Sequence, residues 1–365
     1  MAPLDTAVLT AAVDERDAAA FLHAGIAAEP TLRYCTGTLP DCEAAYVYAD
    51  GEATVFLPTA VANSPAFDAM VTDATVRTTD GPVAERAVAA LRDRGVSGTV
   101  LTPRHVPHDA ALYAERAGYE VASTDAVERA RAVKTPAERD RIATAGAAAE
   151  AGVERARELL GVARVVDGRL RYDGEPVTPR RLRGVVDDAI RAGGASPANA
   201  TRISVAGDRR TADDPVEAGR TVVVRVAPRE PSGYRAALTR TVVVEGEGGW
   251  ERRAQLAVER ALDSALRELE AGVPASTVRE EVMIECGAYG FADDALPASA
   301  GHGVGLAARE RPDLTTDASL SAGTVLAITP SVTDPSGGEV ALSDLVAVTE
   351  DGYEPLATAE RSLEP

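Results

Sequence analysis

The sequence predicts an α/β protein of two domains, and three observations carry that prediction. Its 365 residues are 45% hydrophobic but only 4% aromatic, enough to fill one or two cores built mainly from Ala, Val and Leu. Up to about residue 125, strand-like apolar runs alternate with amphipathic helical ones. Beyond that point a strong helix-start signal opens a section of long helices separated by glycine-punctuated strands.

Taken in order, apolar spacing predicts a helix from Asp14 to Ala24, ended by Gly25. The runs Ala44 to Tyr48 and Ala53 to Leu57 read as a hairpin, because Asp50-Gly51 supplies the positive φ values that a tight turn needs. Ala84 to Arg94 has helical spacing, and Gly98 to Leu101 reads as a buried strand.

The domain boundary falls near residue 130, giving domains over 1–130 and 131–365. There Thr135 can cap a helix, Pro136 suits its first position and Glu138 closes a capping box. The helix that follows runs to about Leu160. A second, Trp250 to Glu270, puts Ala254, Val258, Ala261, Ala265 and Leu269 on one stripe, and Thr277 with Glu280 would open the next. Strands are expected at Thr221 to Val226, Leu238 to Val244, Thr324 to Ile328 and Leu345 to Thr349. Two helix-plus-strand units would then share one curved antiparallel sheet and line a central cleft.

A net charge of −19 excludes nucleic acid or an anionic membrane as a natural partner. Lys134 is the single lysine among 38 basic residues, and acid excess with arginine bias points to a salt-adapted protein. In molar salt, charges are screened within about 3 Å, so the self-repulsion largely disappears. Cys35, Cys42 and Cys286 form an odd count without metal spacing, as in a reducing cytoplasm. No leader-like segment and no apolar run of bilayer length is seen, so neither export nor a membrane span is expected. His105 and His108 have a three-residue spacing that can hold a metal, but Pro107 between them favours a solvated turn.

Several segments together resemble the creatinase, aminopeptidase P and prolidase family. Leu32-Arg33-Tyr34-Cys35-Thr36-Gly37 resembles an element of its N-terminal domain, and Arg131 to Glu138 its interdomain linker. Ser232-Gly233-Tyr234 with Thr239-Arg240-Thr241 is similar to its first metal strand pair. Gly301-His302-Gly303-Val304-Gly305-Leu306 is similar to its histidine loop, and Val348 to Tyr353 to its last hairpin. The resemblance implies a creatinase-like N-terminal α/β domain followed by a C-terminal pita-bread domain with a pseudo-two-fold repeat.

It also implies two divalent metals, such as Mn, Co or Zn, held by two aspartates, one histidine and two glutamates, because bridging carboxylates offset two close cations. On the matching positions this chain has Arg225, Ala237, His302, Thr329 and Ser343, so four ligands are replaced. No acid lies between Pro231 and Val244 or between Ser321 and Thr333, so no local shift restores them. Asp344 would face away from a cleft that Ser343 faces. The family's auxiliary histidines fall on Arg309 and Ala298, and its shuttle loop, Ala206 to Asp214, contains none. No metal cofactor is therefore expected, and His302 with its flanking Gly301, Gly303 and Gly305 reads as loop structure whose glycines meet unusual backbone conformations.

The leading expectation is a catalytically degenerate Xaa-Pro peptidase homologue that binds a peptide, small molecule or protein through the old cleft or a dimer surface. The candidate cleft residues are Arg225, Tyr234, Arg240, His302, Arg309 and Glu310, with Tyr234 and Arg240 also suited to bracing the sheet. A homodimer, or a hetero-oligomer with an active relative, is expected. The alternatives are a metal-independent creatinase-like amide or guanidino hydrolase and a metal-dependent X-Pro aminopeptidase or dipeptidase.

Overall fold

The computed structural model describes residues 4–206, 211–291, 293–335 and 338–365. The chain forms two compact units, Met1–Arg131 and Ala132–Pro365, and its mixed α/β architecture agrees with the predicted class.

In the first unit a six-stranded sheet has Ala20–Ile26 near its centre, antiparallel to Glu43–Ala49 and parallel to Thr99–Pro103. Glu52–Pro58 and Thr75–Thr79 extend one side, and Glu120–Thr124 extends the other. Side-chain alternation splits the core between the two faces. Leu22, Val47 and Phe56 pack with the helices Val83–Asp93 and His108–Arg116. Phe21, Tyr46 and Val55 pack with Leu9, Leu32 and Val127.

The helix expected from Asp14 to Ala24 is corrected. Helix occupies Ala7–Glu15, Asp17 turns the chain at a φ of 48°, and Ala20–Ile26 is strand. The residues Ala20 to Ala24 are buried on both faces, and a short apolar run buried on both faces carries no period that distinguishes strand from helix. The hairpin formed as read, with Asp50 at φ 52° and Gly51 at 77°.

The second unit opens on the helix Pro136–Val162, whose capping box has both reciprocal bonds: Glu138 N–H donates to Thr135 Oγ1 at 3.3 Å and Thr135 N–H to Glu138 Oε2 at 2.7 Å. Gly146 admits the last strand, since a Cβ there would stand 2.6 Å from Leu356 O. The capping box expected at Thr277 is absent. The helix Ala275–Ala288 begins earlier, at Pro274, so Thr277 already lies inside its first turn. Its buried stripe of Val278, Val282 and Cys286 packs against the helix Trp250–Arg267, and burial pushes the Cys286 thiol up to about 12.

The single curved sheet is realised as two main pieces. Arg202–Val205, Val222–Val226 and Leu238–Val242 form a three-stranded antiparallel piece. Glu310–Asp313, Gly301–Gly303, Val325–Ile328, Asp344–Thr349 and Gly352–Ala357 form a five-stranded one. A bridge between Thr239 and Ser343 joins them, and a separate hairpin pairs Ser331–Asp334 with Gly338–Ala341.

Candidate functional site

Where the two sheet pieces meet lies a cleft of about 480 Å³, lined by residues from both. Arg225, Ala237, His302, Thr329 and Ser343 all line it, together with Arg309. Five positions scattered over more than a hundred residues thus come together because each sits on a strand, or just beyond one, with its side chain on the cleft face.

The cleft has few groups that can ligate a cation. Among the lining residues, His302 and Glu339 are the ones with an imidazole or carboxylate. Glu339 is engaged by Arg225, whose Nη2 donates to its Oε1. His302 Nδ1 lies 3.1 Å from Gly303 O. Because a carbonyl oxygen only accepts, Nδ1 carries the ring proton and the lone pair sits on Nε2. Burial lowers the His302 pKa, and Arg309 lowers it further, against the opposing effects of the Gly303 carbonyl and Asp313. His302 is therefore a neutral imidazole near pH 7. One neutral nitrogen and one arginine-paired carboxylate do not fit a pair of divalent cations, which need several bridging anions.

The lining is instead cationic. Arg202, Arg225 and Arg309 face it against the carboxylate of Glu339. Arg309, largely exposed, also reaches Asp313 at 2.9 Å. Burial would raise the Asp313 carboxyl, but Arg309, Thr315 and Ser299 outweigh it and hold it at about 2. Ser343 Oγ is buried and has no hydrogen-bond partner among the described residues, and it lines the cleft.

Three expected cleft residues lie elsewhere. Arg240 is fully buried on the opposite side of its strand from Thr239, and its donors go to Thr239 O, Ser343 O, Ala359 O, Glu360 O and Asp344 Oδ1, the last at 2.6 Å. Asp344 also accepts from Arg361, which bonds Asp263 at 2.7 Å. Asp344 thus faces away from the cleft as strand alternation required. Tyr234 is buried, its hydroxyl 2.5 Å from Glu138 Oε1. The Glu310 side chain is buried against Lys134 Nζ at 3.3 Å and Ala307 N–H at 2.8 Å. These three brace the fold.

The glycines of the histidine loop are explained by space, not by backbone conformation. None of Gly301, Gly303 and Gly305 has a positive φ, yet a Cβ would stand 2.4 Å from Ala327 O, 2.2 Å from Arg311 O and 2.5 Å from Glu310 Oε2 respectively. Part of the shuttle-type loop, 207–210, lies outside the described residues. Sequence reasoning missed Glu339, Arg202 and Ser299, which belong to short strands and a loop without a motif. His105 does not pair with His108, which starts a helix; it meets His23 and Glu29 instead.

Residues 140–350 match the model of metallopeptidase family M24. The chain is 32% identical over 167 residues to an Xaa-Pro dipeptidase of Pyrococcus furiosus, covering 44% of each. It is 28% identical over 239 residues to a probable dipeptidase PepE of Mycobacterium tuberculosis, covering 64% of this chain and 60% of that one. These alignments span less than two thirds of those relatives' lengths. In three dimensions the chain superposes on the prolidase from Pyrococcus horikoshii with a TM-score of 0.85 at 21% identity, covering 98% of this chain and 99% of that one. The dipeptidase PepE from Mycobacterium ulcerans gives 0.78 at 25% identity, with 99% of each chain covered.

Proposed function

This chain belongs to metallopeptidase family M24, and we propose that within it the chain is a non-catalytic, Xaa-Pro-peptidase-like binding protein whose cleft holds a peptide or small molecule by a carboxylate. One observation carries the reading: the positions that hold metal in the family resemblance are here Arg225, Ala237, Thr329 and Ser343, beside His302, in a cleft whose lining among the described residues has three arginines and one carboxylate. A fixed guanidinium repels a cation and attracts an anion, and arginine meets carboxylates through paired N–H donors. Ser343 Oγ, without a partner among the described residues, adds a hydroxyl for the ligand.

The test uses metal-stripped full-length protein in molar KCl. Calorimetric titration with Mn²⁺ should show no ion whose binding is lost on His302→Ala. Short proline-containing dipeptides should raise the melting temperature, by RT ln(1 + [L]/Kd) in stability terms. Arg309→Ala or Arg225→Ala should weaken that shift about ten-fold or more in apparent affinity. Two Mn²⁺ ions per chain sensitive to His302→Ala, with dipeptide hydrolysis, would overturn the proposal and make the chain an X-Pro dipeptidase.

A second reading has one observation in its favour. With Nδ1 committed to Gly303, His302 Nε2 offers a lone pair to the cleft, as a metal-free general base requires. Turnover of amide or guanidino compounds after metal removal, abolished by His302→Ala, would establish it.

A further inference from the structure

A cluster in the first unit plays no part in the cleft. His23 lies on the central strand Ala20–Ile26 and is 1% exposed. Its Nε2 stands 2.9 Å from Glu29 Oε2. His105, half-exposed in the loop after Thr99–Pro103, places its Nε2 3.2 Å from the other oxygen, Glu29 Oε1. Two imidazoles therefore converge on the two oxygens of one carboxylate, and one donor atom from each of the three residues lies within 4.8 Å of the others. The ring centroids are 5.3 Å apart, edge to face.

We propose that His23, Glu29 and His105 form a mononuclear binding site for a borderline divalent cation, Zn²⁺ in the first place, with water completing the coordination. Four features support it.

The carboxylate is held in place before any ion arrives. Glu29 caps the helix Pro30–Thr36, accepting Thr31 N–H at 2.9 Å and Leu32 N–H at 2.7 Å, so little side-chain freedom remains to be lost.

The protons have somewhere to go. Glu29 only accepts, so in the metal-free protein both Nε2 atoms carry N–H. A cation takes the Nε2 lone pairs after each ring moves its proton to Nδ1, giving up its N–H bond to Glu29 for the metal bond. His105 Nδ1 lies 3.6 Å from Glu128 Oε1, just beyond hydrogen-bond distance, so a small movement would let that carboxylate accept the N–H, the arrangement that orients metal-bound histidines. Glu128 Oε2 is buried without a partner among the described residues, so that carboxylate has acceptor capacity to spare, whereas His23 Nδ1 has no acceptor among them and its N–H would stay unpaired, a cost that the metal bond has to offset.

Donor type sets the metal. Two imidazoles and one carboxylate, with an open position, suit Zn²⁺ or Co²⁺ better than Ca²⁺, which takes six or more oxygens. Arg131 bonds Thr31 Oγ1 beside the site and offsets part of the negative charge, so affinity has to come from the nitrogen donors.

Location sets accessibility. His23 is buried, while His105 is 45% exposed along its side chain, which leaves an entry path from solvent.

The experiment titrates metal-stripped full-length protein with Zn²⁺ by calorimetry and with Co²⁺ by visible absorption, in wild type, His105→Ala, Glu128→Gln and His302→Ala. The expected result is one ion per chain, a Co²⁺ spectrum of low coordination number, at least 100-fold weaker binding in His105→Ala and about 10-fold weaker in Glu128→Gln, and unchanged binding in His302→Ala. His105 is on a half-exposed loop, so that variant is expected to fold; a melting curve checks it, and Glu128→Gln tests the site without removing a ligand. Absence of stoichiometric Zn²⁺ binding by the wild type overturns the proposal and leaves the cluster as a hydrogen-bonded brace. Binding lost in His302→Ala but kept in His105→Ala also overturns it, and would place the ion in the cleft.

Discussion

Ser343 and Asp344 are neighbours in the chain and face opposite worlds. Ser343 looks into the cleft, where its hydroxyl has no partner among the described residues. Asp344 looks into the body of the second unit, where Arg240 and Arg361 claim both its oxygens and Arg240 is itself fully buried. One face of the strand is a satisfied ion network; the other is lined by groups with spare bonding capacity. Burial without compensation is costly, so the charge on the inner face is there to be paired, whereas the cleft face is free to be chemically rewritten without loss of the fold.

The sharpest way to break this comparison is to truncate both neighbours. Asp344→Ala leaves Arg240 buried with carbonyl partners but no counter-ion, and should cost about 3–5 kcal/mol. Ser343→Ala removes a hydroxyl that has no partner among the described residues, and should lie within about 0.5 kcal/mol of wild type. Both are read from denaturant unfolding at fixed salt. Similar losses for the two would mean that the cleft face is as structurally committed as the inner one.

The same contrast explains what could be read from the sequence. The Asp-Gly hairpin, the Thr135 capping box and the apolar stripe of Trp250–Arg267 were legible because each is a local rule that local residues satisfy. The chain from Asp14 to Ala24 was misread because its structure is decided by partners far away in sequence, Glu43–Ala49 and Thr99–Pro103. At the cleft, convergence of Arg225, Ala237, His302, Thr329 and Ser343 followed from a resemblance spread over the whole chain. Glu339 did not, because the hairpin that delivers it carries no motif and its partner Arg225 is 114 positions away. Arg240 was half legible: a bracing role could be named, but only the carbonyls of the C-terminal segment show how completely its donors are used.

A smaller effect tests the cleft's own ion pair. Arg225 and Glu339 keep about a third and a quarter of their side-chain surface in solvent, so water competes for both charges. Arg225→Ala should therefore lower stability by only about 0–1 kcal/mol while weakening anion binding, in contrast to Asp344→Ala. A loss of several kcal/mol would show that Arg225 braces the sheet, and would withdraw it from the binding reading.

The smallest expected effect is a pH dependence from His302. Its pKa is lowered in the folded protein because burial disfavours the imidazolium, while in the unfolded chain it returns to about 6.5. Between the two values the unfolded state binds more protons than the native one, so stability rises with pH through this window. The native protein's preference for neutral imidazole is fully present above about pH 6.5 and is lost as pH falls towards the folded value. His302→Gln, which keeps a polar side chain but cannot titrate, should flatten that part of the stability profile while leaving the rest unchanged. An unaltered slope would mean that His302 is solvated enough to titrate normally, and with it would go the picture of a buried neutral imidazole beside the cleft's arginines.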